Sequence, residues 1–341
     1  MTSAYLLRTE RLTVRPVRES DIDALTAYRN DPEVSALQDW DLPYPRERAE
    51  RLVAAQAGRE DLSPGTRTQL GIELDGALVG DVYVGVVEEG GVAEIGFTLA
   101  REHQGMGYAV EAVSAVVDDL VDRLGIHRVT AQLSPQNLAS ARLLERIGME
   151  LESLSPKSYW WRGAWDDNLV YAMSADDRRS WRARPLTPPA EVRLVPITEA
   201  THRTYERLAT HWTQQRFVAT VSQSFGDALF PGEHEGVPIV PVLHGIEANG
   251  EPVGFLMYAA GDEVQPRPYL WRFLIDRRHQ GRGIGRRALG AFVDQVRSEG
   301  RPGIIVSWVP GPGTPEAFYL AVGFVPTGEI HDGEVVARLT L

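Results

Sequence analysis

The chain has 341 residues, which is enough for two domains that each bury a hydrophobic core. It has no cysteine, which excludes disulfides, thiolate metal sites and an acyl-cysteine intermediate. The formal net charge of −12 disfavours nucleic acid or an anionic membrane as a partner. The sequence has no signal-peptide pattern and no apolar run of about 18 residues, so we expect a cytoplasmic protein without a membrane span.

The first half alternates predicted strands and helices. It opens on a strand at residues 12–17, and a glycine-rich segment later follows a strand and precedes a helix. The predicted strands cover residues 12–17, 78–83, 94–99 and 128–133, and the helices cover 110–124 and 140–146. This alternation predicts an α/β layer.

The second half repeats this order. Its predicted strands cover residues 193–197, 252–258, 269–275 and 303–308, and a helix covers 286–297. Gln104 precedes Gly148 by 44 residues, and Gln280 precedes Gly323 by 43. The shared order and spacing indicate an internal duplication rather than two unrelated glycine-rich turns.

The boundary between the two copies is rich in Arg, Asp and Pro over residues 175–192. Three prolines, Pro185, Pro188 and Pro189, fall close together, and proline continues neither a helix nor a central strand. We therefore predict a linker here. The predicted domains are residues 1–180 and 192–341, joined by a linker at 181–191.

Two glycine-rich segments carry the strongest chemical signal, and we call residues 104–109 the N-terminal glycine loop and residues 280–285 the C-terminal glycine loop. Glycine lets the backbone bend and lets a ligand approach its amides closely. Those amides and the start of the following helix together favour a phosphate or pyrophosphate. Glycines used only for packing are the alternative. The spacing fits neither a dinucleotide-binding fingerprint nor a P-loop.

Both loops read Gln-x-x-Gly-x-Gly/Ala, which resembles the acetyl-CoA signature of the GNAT N-acetyltransferase superfamily. The first half resembles ribosomal-protein N-terminal acetyltransferases and related small-amine enzymes. Its marks are the segments 9–15, 94–97 and 137–148. The second half resembles bacterial spermine/spermidine acetyltransferases, on the segments 217–219, 271–276 and 318–324.

This resemblance implies an α/β fold of the α+β type, with two tandem domains. Each domain would be a mixed, splayed, mostly antiparallel sheet flanked by helices, with acetyl-CoA in the gap between two strands. Backbone amides of the splayed strand would polarise the thioester carbonyl. The implied cofactor-binding residues of the first domain are Phe97, Thr98, Leu99, Gln104, Gly105, Met106, Gly107, Tyr108, Ala109 and Asn137. Those of the second domain are Phe273, Leu274, Ile275, Gln280, Gly281, Arg282, Gly283, Ile284 and Gly285.

The resemblance also implies a catalytic base and acid. Because an alkyl amine is mostly protonated near pH 7, a carboxylate should take its proton, and a hydroxyl should protonate the leaving thiolate. In the first domain Glu94 is the candidate base and Ser140 the candidate acid, with surface ion pairing and helix capping as their alternatives. In the second domain Tyr319 is the candidate acid, and a packed aromatic is its alternative.

The second copy departs from its relatives. Pro312 replaces a family asparagine that contacts the cofactor, and Gln214 or Gln215 replaces an acidic residue. The strand at residues 269–275 carries no carboxylate; Arg272 occupies it without an assigned role. Arg282, Arg286 and Arg287 are candidates for the cofactor phosphates, or ordinary surface arginines. The tryptophan-rich stretch 159–165 would either line an acceptor pocket or form a sheet face or an inter-domain contact.

We therefore predict an N-acetyltransferase that transfers an acetyl group directly to a primary amine of a small molecule. A polyamine, an aminoglycoside-like antibiotic and an amino-sugar or peptide intermediate all fit. One alternative is protein Nα-acetylation. Another is that one domain is catalytic and the other a scaffold or acyl-CoA sensor. The histidines show no metal spacing, so no metal is predicted. Whether the protein is a homodimer is left open.

Overall fold

A computed structural model describes residues 5–57, 61–234 and 236–341. The chain divides into two structural units, Met1–Ala183 and Arg184–Leu341. We call them the N-terminal and C-terminal domains. None of the helices in the described ranges is long and apolar enough to cross a membrane.

The N-terminal domain is built on an eight-stranded sheet. Its strands are β1 (Leu7–Arg8), β2 (Thr13–Pro16), β3 (Arg67–Leu74), β4 (Ala77–Val86), β5 (Val92–Leu99), β6 (Arg128–Leu133), β7 (Glu150–Trp161) and β8 (Ala164–Ser174). The sheet order is β1-β2-β3-β4-β5-β6-β8-β7. Its helices are α1 (Ile22–Asn30), α2 (Pro32–Ser35), α3 (Arg46–Ala54), α4 (Tyr108–Asp122), α5 (Leu138–Arg146) and α6 (Ala175–Ala183).

The C-terminal domain is built on a seven-stranded sheet and a small hairpin. Its strands are β9 (Val192–Pro196), β10 (Glu233–His234), β11 (Val237–Pro238), β12 (Pro241–Ala248), β13 (Glu251–Ala259), β14 (Tyr269–Ile275), β15 (Gly303–Trp308), β16 (Val325–His331) and β17 (Glu334–Thr340). The sheet order is β16-β17-β15-β14-β13-β12-β9, and β10 pairs with β11. Its helices are α7 (His202–Glu206), α8 (Val221–Leu229), α9 (Ile284–Ser298) and α10 (Glu316–Val322).

One long helix follows the glycine loop in each domain and carries an apolar stripe at helical spacing. The buried residues of α4 are Ala112, Val113, Val116, Val117, Leu120 and Val121. Those of α9 are Ile284, Ala288, Leu289, Phe292 and Val296, and they join the core beneath the sheet. This burial holds the start of each helix beside its glycine loop.

The predicted linker was wrong at its start, because residues 175–183 form α6. Tertiary contacts explain this helix. Arg178 is buried and bonded to Asp118, to Ser114 and to the carbonyl of Ile147. The indole ring of Trp181 lies where a side chain on Gly148 would project. Local composition could not reveal these partners, since they lie far away in sequence.

Candidate active sites

Each sheet opens at its parallel pair of strands. In the N-terminal domain β5 pairs with β6 only from Val92 to Glu94. In the C-terminal domain β14 pairs with β15 only at Tyr269 and Leu270. The later residues of β5 and β14 therefore border a gap, which confirms the predicted splay of the two sheets.

A glutamine side chain ties each glycine loop to the strand that borders this gap. Gln104 Nε2 donates a 3.0 Å hydrogen bond to the carbonyl of Leu99. Gln280 Nε2 donates one of the same length to the carbonyl of Ile275. The first residue of each loop is thus fixed against the last residue of its strand.

The glycines that follow adopt the left-handed conformation that favours glycine. Gly107 (φ 82°) immediately precedes α4, and Gly283 (φ 73°) immediately precedes α9. A Cβ atom added at Gly105, Gly281 or Gly283 would meet no atom within 4 Å. No side chain caps the start of either helix. Each loop therefore presents first-turn amides to open space, which is an anion site.

The surroundings of the two loops differ. In the N-terminal domain Arg11 donates through Nη1 to the carbonyl of Met106 at 3.0 Å and forms a 2.6 Å ion pair with Glu111 through Nη2. Although partial burial alone would raise the pKa of Glu111, hydrogen bonds from Thr9 and Arg11 hold that pKa below its usual value. The carboxylate stays charged beside the loop, where Arg11 neutralises it.

In the C-terminal domain, arginine side chains next to the glycine loop donate to backbone carbonyls of residues 187–190, near the start of the domain. Arg282 is buried, donates to the carbonyl of Thr187 at 3.0 Å and lies 2.8 Å from His279 Nδ1. Arg287 donates to the carbonyls of Pro189 and Ala190. The Arg282 and Arg287 side chains therefore have partners within the protein, whereas Arg286 lines the adjacent cavity. Burial lowers the pKa of His279, so the ring stays neutral beside Arg282.

A cavity of about 520 Å³ lies over β5 in the N-terminal domain. It contains Glu94, the predicted base. Residues of β3, β4, β6, β7, β8 and the segment before α3 also contribute; they include Asp39, Trp40, Arg67, Asp81, Tyr83, Tyr159, Trp161 and Asp166. Burial raises the pKa of Tyr83 and of Tyr159. The positive charge of Arg67 lowers the pKa of Tyr83, whereas the negative charges of Glu94 and Asp39 raise the pKa of both phenols. The cavity is therefore acidic and aromatic.

The tryptophan-rich stretch divides between two environments. Tyr159 and Trp161 line the cavity, and Trp161 Nε1 donates to the carbonyl of Gln38 at 3.1 Å. That bond holds the segment before α3 against β7. Trp160 and Trp165 are each 56% exposed and pack edge to face, with ring centroids 5.3 Å apart.

A second cavity of about 530 Å³ lies in the C-terminal domain. Its lining joins the C-terminal glycine loop to β14 and α10, and it includes Trp271, Phe273, Gln280, Ser307, Phe318 and Tyr319. Tyr319 stacks on Trp308 with centroids 5.6 Å apart. Burial raises the pKa of Tyr319, and Tyr269 and Glu334 raise it further. The phenol stays protonated at neutral pH, as a general acid requires.

Asn137 and Ser140 lie at the start of α5. Asn137 Oδ1 accepts a hydrogen bond from the Ser140 amide at 3.1 Å, so the asparagine caps the helix. This is the capping alternative for Asn137. The described lining of the N-terminal cavity contains Glu94 and Ser134 but neither of these two residues. Their roles toward acetyl-CoA stay predictions.

The residues at which the second copy departs from its relatives make hydrogen bonds or ion pairs in the structure. Gln214 exchanges hydrogen bonds with Gln280 at 3.1 and 2.9 Å, so it supports the glycine loop. The carbonyl of Pro312 accepts a hydrogen bond from Arg216. Arg272 forms a 3.1 Å ion pair with Asp227 of α8.

Three polar residues beside the C-terminal cavity have no signal in the sequence that would predict a role at the site. Tyr269 Oη lies 2.7 Å from Ser307 Oγ, and Ser307 Oγ donates to Glu334. We call these three residues the polar triad. They come from β14, β15 and β17, so only the pairing of these strands brings them together. No local motif signals Glu334.

Comparison with known proteins places both domains in one family. A model described as "Acetyltransferase (GNAT) domain" matches residues 11–150, and one described as "Acetyltransferase (GNAT) family" matches residues 202–324. A Bacillus licheniformis protein named "Uncharacterized N-acetyltransferase p20" is 31% identical over 156 residues, which cover 43% of this chain and 84% of that protein. This chain belongs to the GNAT family of acetyltransferases. It carries two GNAT domains in tandem.

Two further relatives match parts of the chain. The ribosomal protein uS5-alanine N-acetyltransferase of Escherichia coli is 30% identical over 83 residues, 24% of this chain and 43% of that enzyme. A solved structure of Mycobacterium smegmatis RimJ in complex with CoA-disulfide is 27% identical, covers 49% of this chain and 83% of its own, and has a TM-score of 0.43.

GNAT enzymes use acetyl-CoA, which supplies an acetyl group activated as a thioester. The residues of both glycine loops fit its pyrophosphate, because the Cβ positions of Gly105, Gly281 and Gly283 are open, a Cβ at Gly107 would meet only the cationic side chain of Arg11, and the helix amides are uncapped. The gap beside β5 or β14 leaves room for the arm that carries the acetyl group. Each domain therefore has a glycine loop and a gap between strands that fit acetyl-CoA.

Proposed function

We propose that the N-terminal domain transfers an acetyl group to a primary amine of a small cationic molecule held in the cavity over β5. The acidic and aromatic lining of that cavity carries the proposal. A volume of about 520 Å³ suits a small ligand rather than a folded protein surface.

The charges of the cavity favour a cationic acceptor. In the described chain Glu94 and Asp39 have no ion-pair partner, and both act on the same two phenols, Tyr83 and Tyr159. Asp81 is different, since Arg29 and Tyr28 bond to it and Arg29 balances its charge. Two unpaired carboxylates beside aromatic faces attract an ammonium group.

Glu94 acts as the base. It lies on β5 at the last residue that pairs with β6, where the gap begins. Its carboxylate takes the proton of the bound ammonium, and the neutral amine then attacks the acetyl carbon directly. Backbone amides of β5 beyond Glu94 border the gap and stabilise the developing oxyanion.

Acceptor screening tests this function. The full-length protein with Gly283→Trp, which blocks the C-terminal glycine loop and serves as the parent for the variants below, is assayed for CoA release with spermidine, kanamycin and glucosamine, and in parallel with peptides that have free N-termini. Turnover of a small amine, lowered about 10²- to 10⁴-fold in Glu94→Gln, is the expected result. Glu89→Gln, a matched change in the β4–β5 turn, should keep the parental rate. Exclusive turnover of the peptides would show a protein N-acetyltransferase instead.

A further inference from the structure

The polar triad forms a continuous chain of hydrogen-bonding groups across three adjacent strands. Tyr269 Oη and Ser307 Oγ are 2.7 Å apart, and Ser307 donates to a carboxylate oxygen of Glu334. Glu334 opens β17, which pairs with β15, and Ser307 is on β15. Tyr269 opens β14, on the other side of β15.

Ser307 occupies the point at which the two strands separate. The last parallel pair is Leu270 with Val306, and Ser307 is the next residue of β15. Across the gap, β14 has an extra residue at Trp271, because Met257 pairs with Arg272 and Tyr258 pairs with Leu270. Such bulges redirect side chains beside active sites. Ser307, Trp271 and Tyr319 all line the C-terminal cavity.

The other groups near the triad are few. Tyr319 of α10 contributes its phenol, and Arg272 lies close enough to lower the pKa of Tyr269, which burial raises overall. His331 of β16 pairs with Glu334 in register but is exposed, and it lies 3.9 Å from Glu329. Glu334 has no arginine or lysine partner among the described residues, so its charge is available to Ser307.

We propose that Ser307 and Glu334 form the proton-accepting pair of the C-terminal domain, which is a second acetyltransferase site. Ser307 contacts the substrate amine, and Glu334 is the positioning residue that acts through it. The carboxylate absent from β14 is thus supplied by β17. This inference rests on the proposed function only in assuming acetyl transfer to an amine, because the residues it concerns belong to the other domain.

The proton and bond changes balance without another reactant. The substrate ammonium gives a proton to Ser307 Oγ, and the hydroxyl proton of Ser307 passes to Glu334. The neutral amine nitrogen forms a bond to the acetyl carbon as the carbon–sulfur bond breaks. The nitrogen gives its second proton to water, and Tyr319 gives its phenolic proton to the leaving sulfur. Return of protons between these groups and solvent restores the site.

The test uses the full-length protein with Gly107→Trp, which blocks the N-terminal glycine loop. The acceptor probes are spermidine, kanamycin and glucosamine. We expect turnover of at least one amine, with kcat/KM nearly independent of pH between about 7 and 9. Adding Glu334→Gln should lower kcat/KM about 10²-fold near pH 7. It should also make kcat/KM rise about tenfold per pH unit toward the pKa of the free amine, near 10.4.

The slope separates proton acceptance from a structural role, because a merely misfolded site would lose activity equally at every pH. Glu329→Gln on the neighbouring strand is the matched control and should keep the flat profile. A second readout needs no acetyl-CoA. Glu334→Gln should lower the pKa of one tyrosine in an ultraviolet absorbance titration, and Tyr269→Phe should remove that transition.

Three results overturn the inference. One is a flat profile in Glu334→Gln at the parental rate. Another is a tyrosine titration that Glu334→Gln leaves unchanged. The third is loss of all turnover in Gly107→Trp while Gly283→Trp stays fully active, which would leave the N-terminal function intact. By contrast, loss of turnover in Gly283→Trp alone would refute the N-terminal proposal and leave the triad supported.

Discussion

The side-chain amide of Gln280 donates two hydrogen bonds, one to the carbonyl of Ile275 at 3.0 Å and one to Gln214. Gln104 makes the equivalent bond to Leu99 in the other domain. The conserved geometry of the two copies thus lies in how the loop is held to its strand. The glutamine side chain contacts the protein, whereas no side chain caps the helix that follows each loop.

Removing either glutamine should weaken acetyl-CoA binding in its own domain. The loss of one hydrogen bond costs about 1 kcal/mol, so Gln104→Ala should raise Kd roughly fivefold. Gln280→Ala should have a larger effect, since it loses its bonds to Gln214 as well. Titration calorimetry measures both. Gln136→Ala, at an exposed position, is the control, and equal affinities in all three variants would contradict this account of the loop.

Blocking a glycine loop should remove one acetyl-CoA site from the protein. A Cβ at position 283 would meet no atom within 4 Å, and one at position 107 would meet only Arg11 Nη2, at 3.4 Å. A tryptophan at either position would therefore occupy the space beside the loop amides. Calorimetry should find two sites in the wild type and one in each variant. Gly76→Trp has the same left-handed backbone and open surroundings in the β3–β4 turn, so it controls for backbone strain. Two sites in every variant would disprove the assignment.

Tyr319→Phe should lower kcat in the C-terminal domain about 10²-fold or more while acetyl-CoA affinity stays the same. The ring contacts with Trp308 and Phe324 survive this change, so the fold should persist. The pKa of Tyr319 is raised by burial, and its neutral form is the acid. Its activity should therefore not fall on the alkaline side at the usual tyrosine pKa of about 10. Tyr258→Phe, in the same domain, should leave kcat unchanged.

Asp81→Ala should destabilise the N-terminal domain by about 3–5 kcal/mol. Arg29 and Asp81 form a 3.1 Å ion pair with both side chains buried, and Gln69 bonds to the same carboxylate. Without Asp81 the buried charge of Arg29 loses the carboxylate that pairs with it. Urea denaturation of the N-terminal domain measures the change. Asp41→Ala, at an exposed position, should shift the free energy of unfolding by less than about 0.5 kcal/mol.

The elements around the glycine loops were predictable because their signals are local. The predicted strands 128–133, 269–275 and 303–308 match β6, β14 and β15 at both ends. Hydrophobic periodicity and flanking glycines are properties of neighbouring residues. Helix α6 was missed since its stability comes from Arg178 and Trp181, whose partners are distant in sequence.

By itself the sequence indicated two GNAT domains that use acetyl-CoA, because strand, glutamine, glycine loop and helix follow one another within residues 94–124 and again within 269–297, and the backbone of such a segment can form an anion site. Only the tertiary structure decided which side chains surround the acceptor. Glu94 meets Asp39 and two phenols through the packing of a loop on the sheet. Glu334 reaches Ser307 through the pairing of β17 with β15. Side-chain constellations of this kind depend on strand order and register, which no short segment contains.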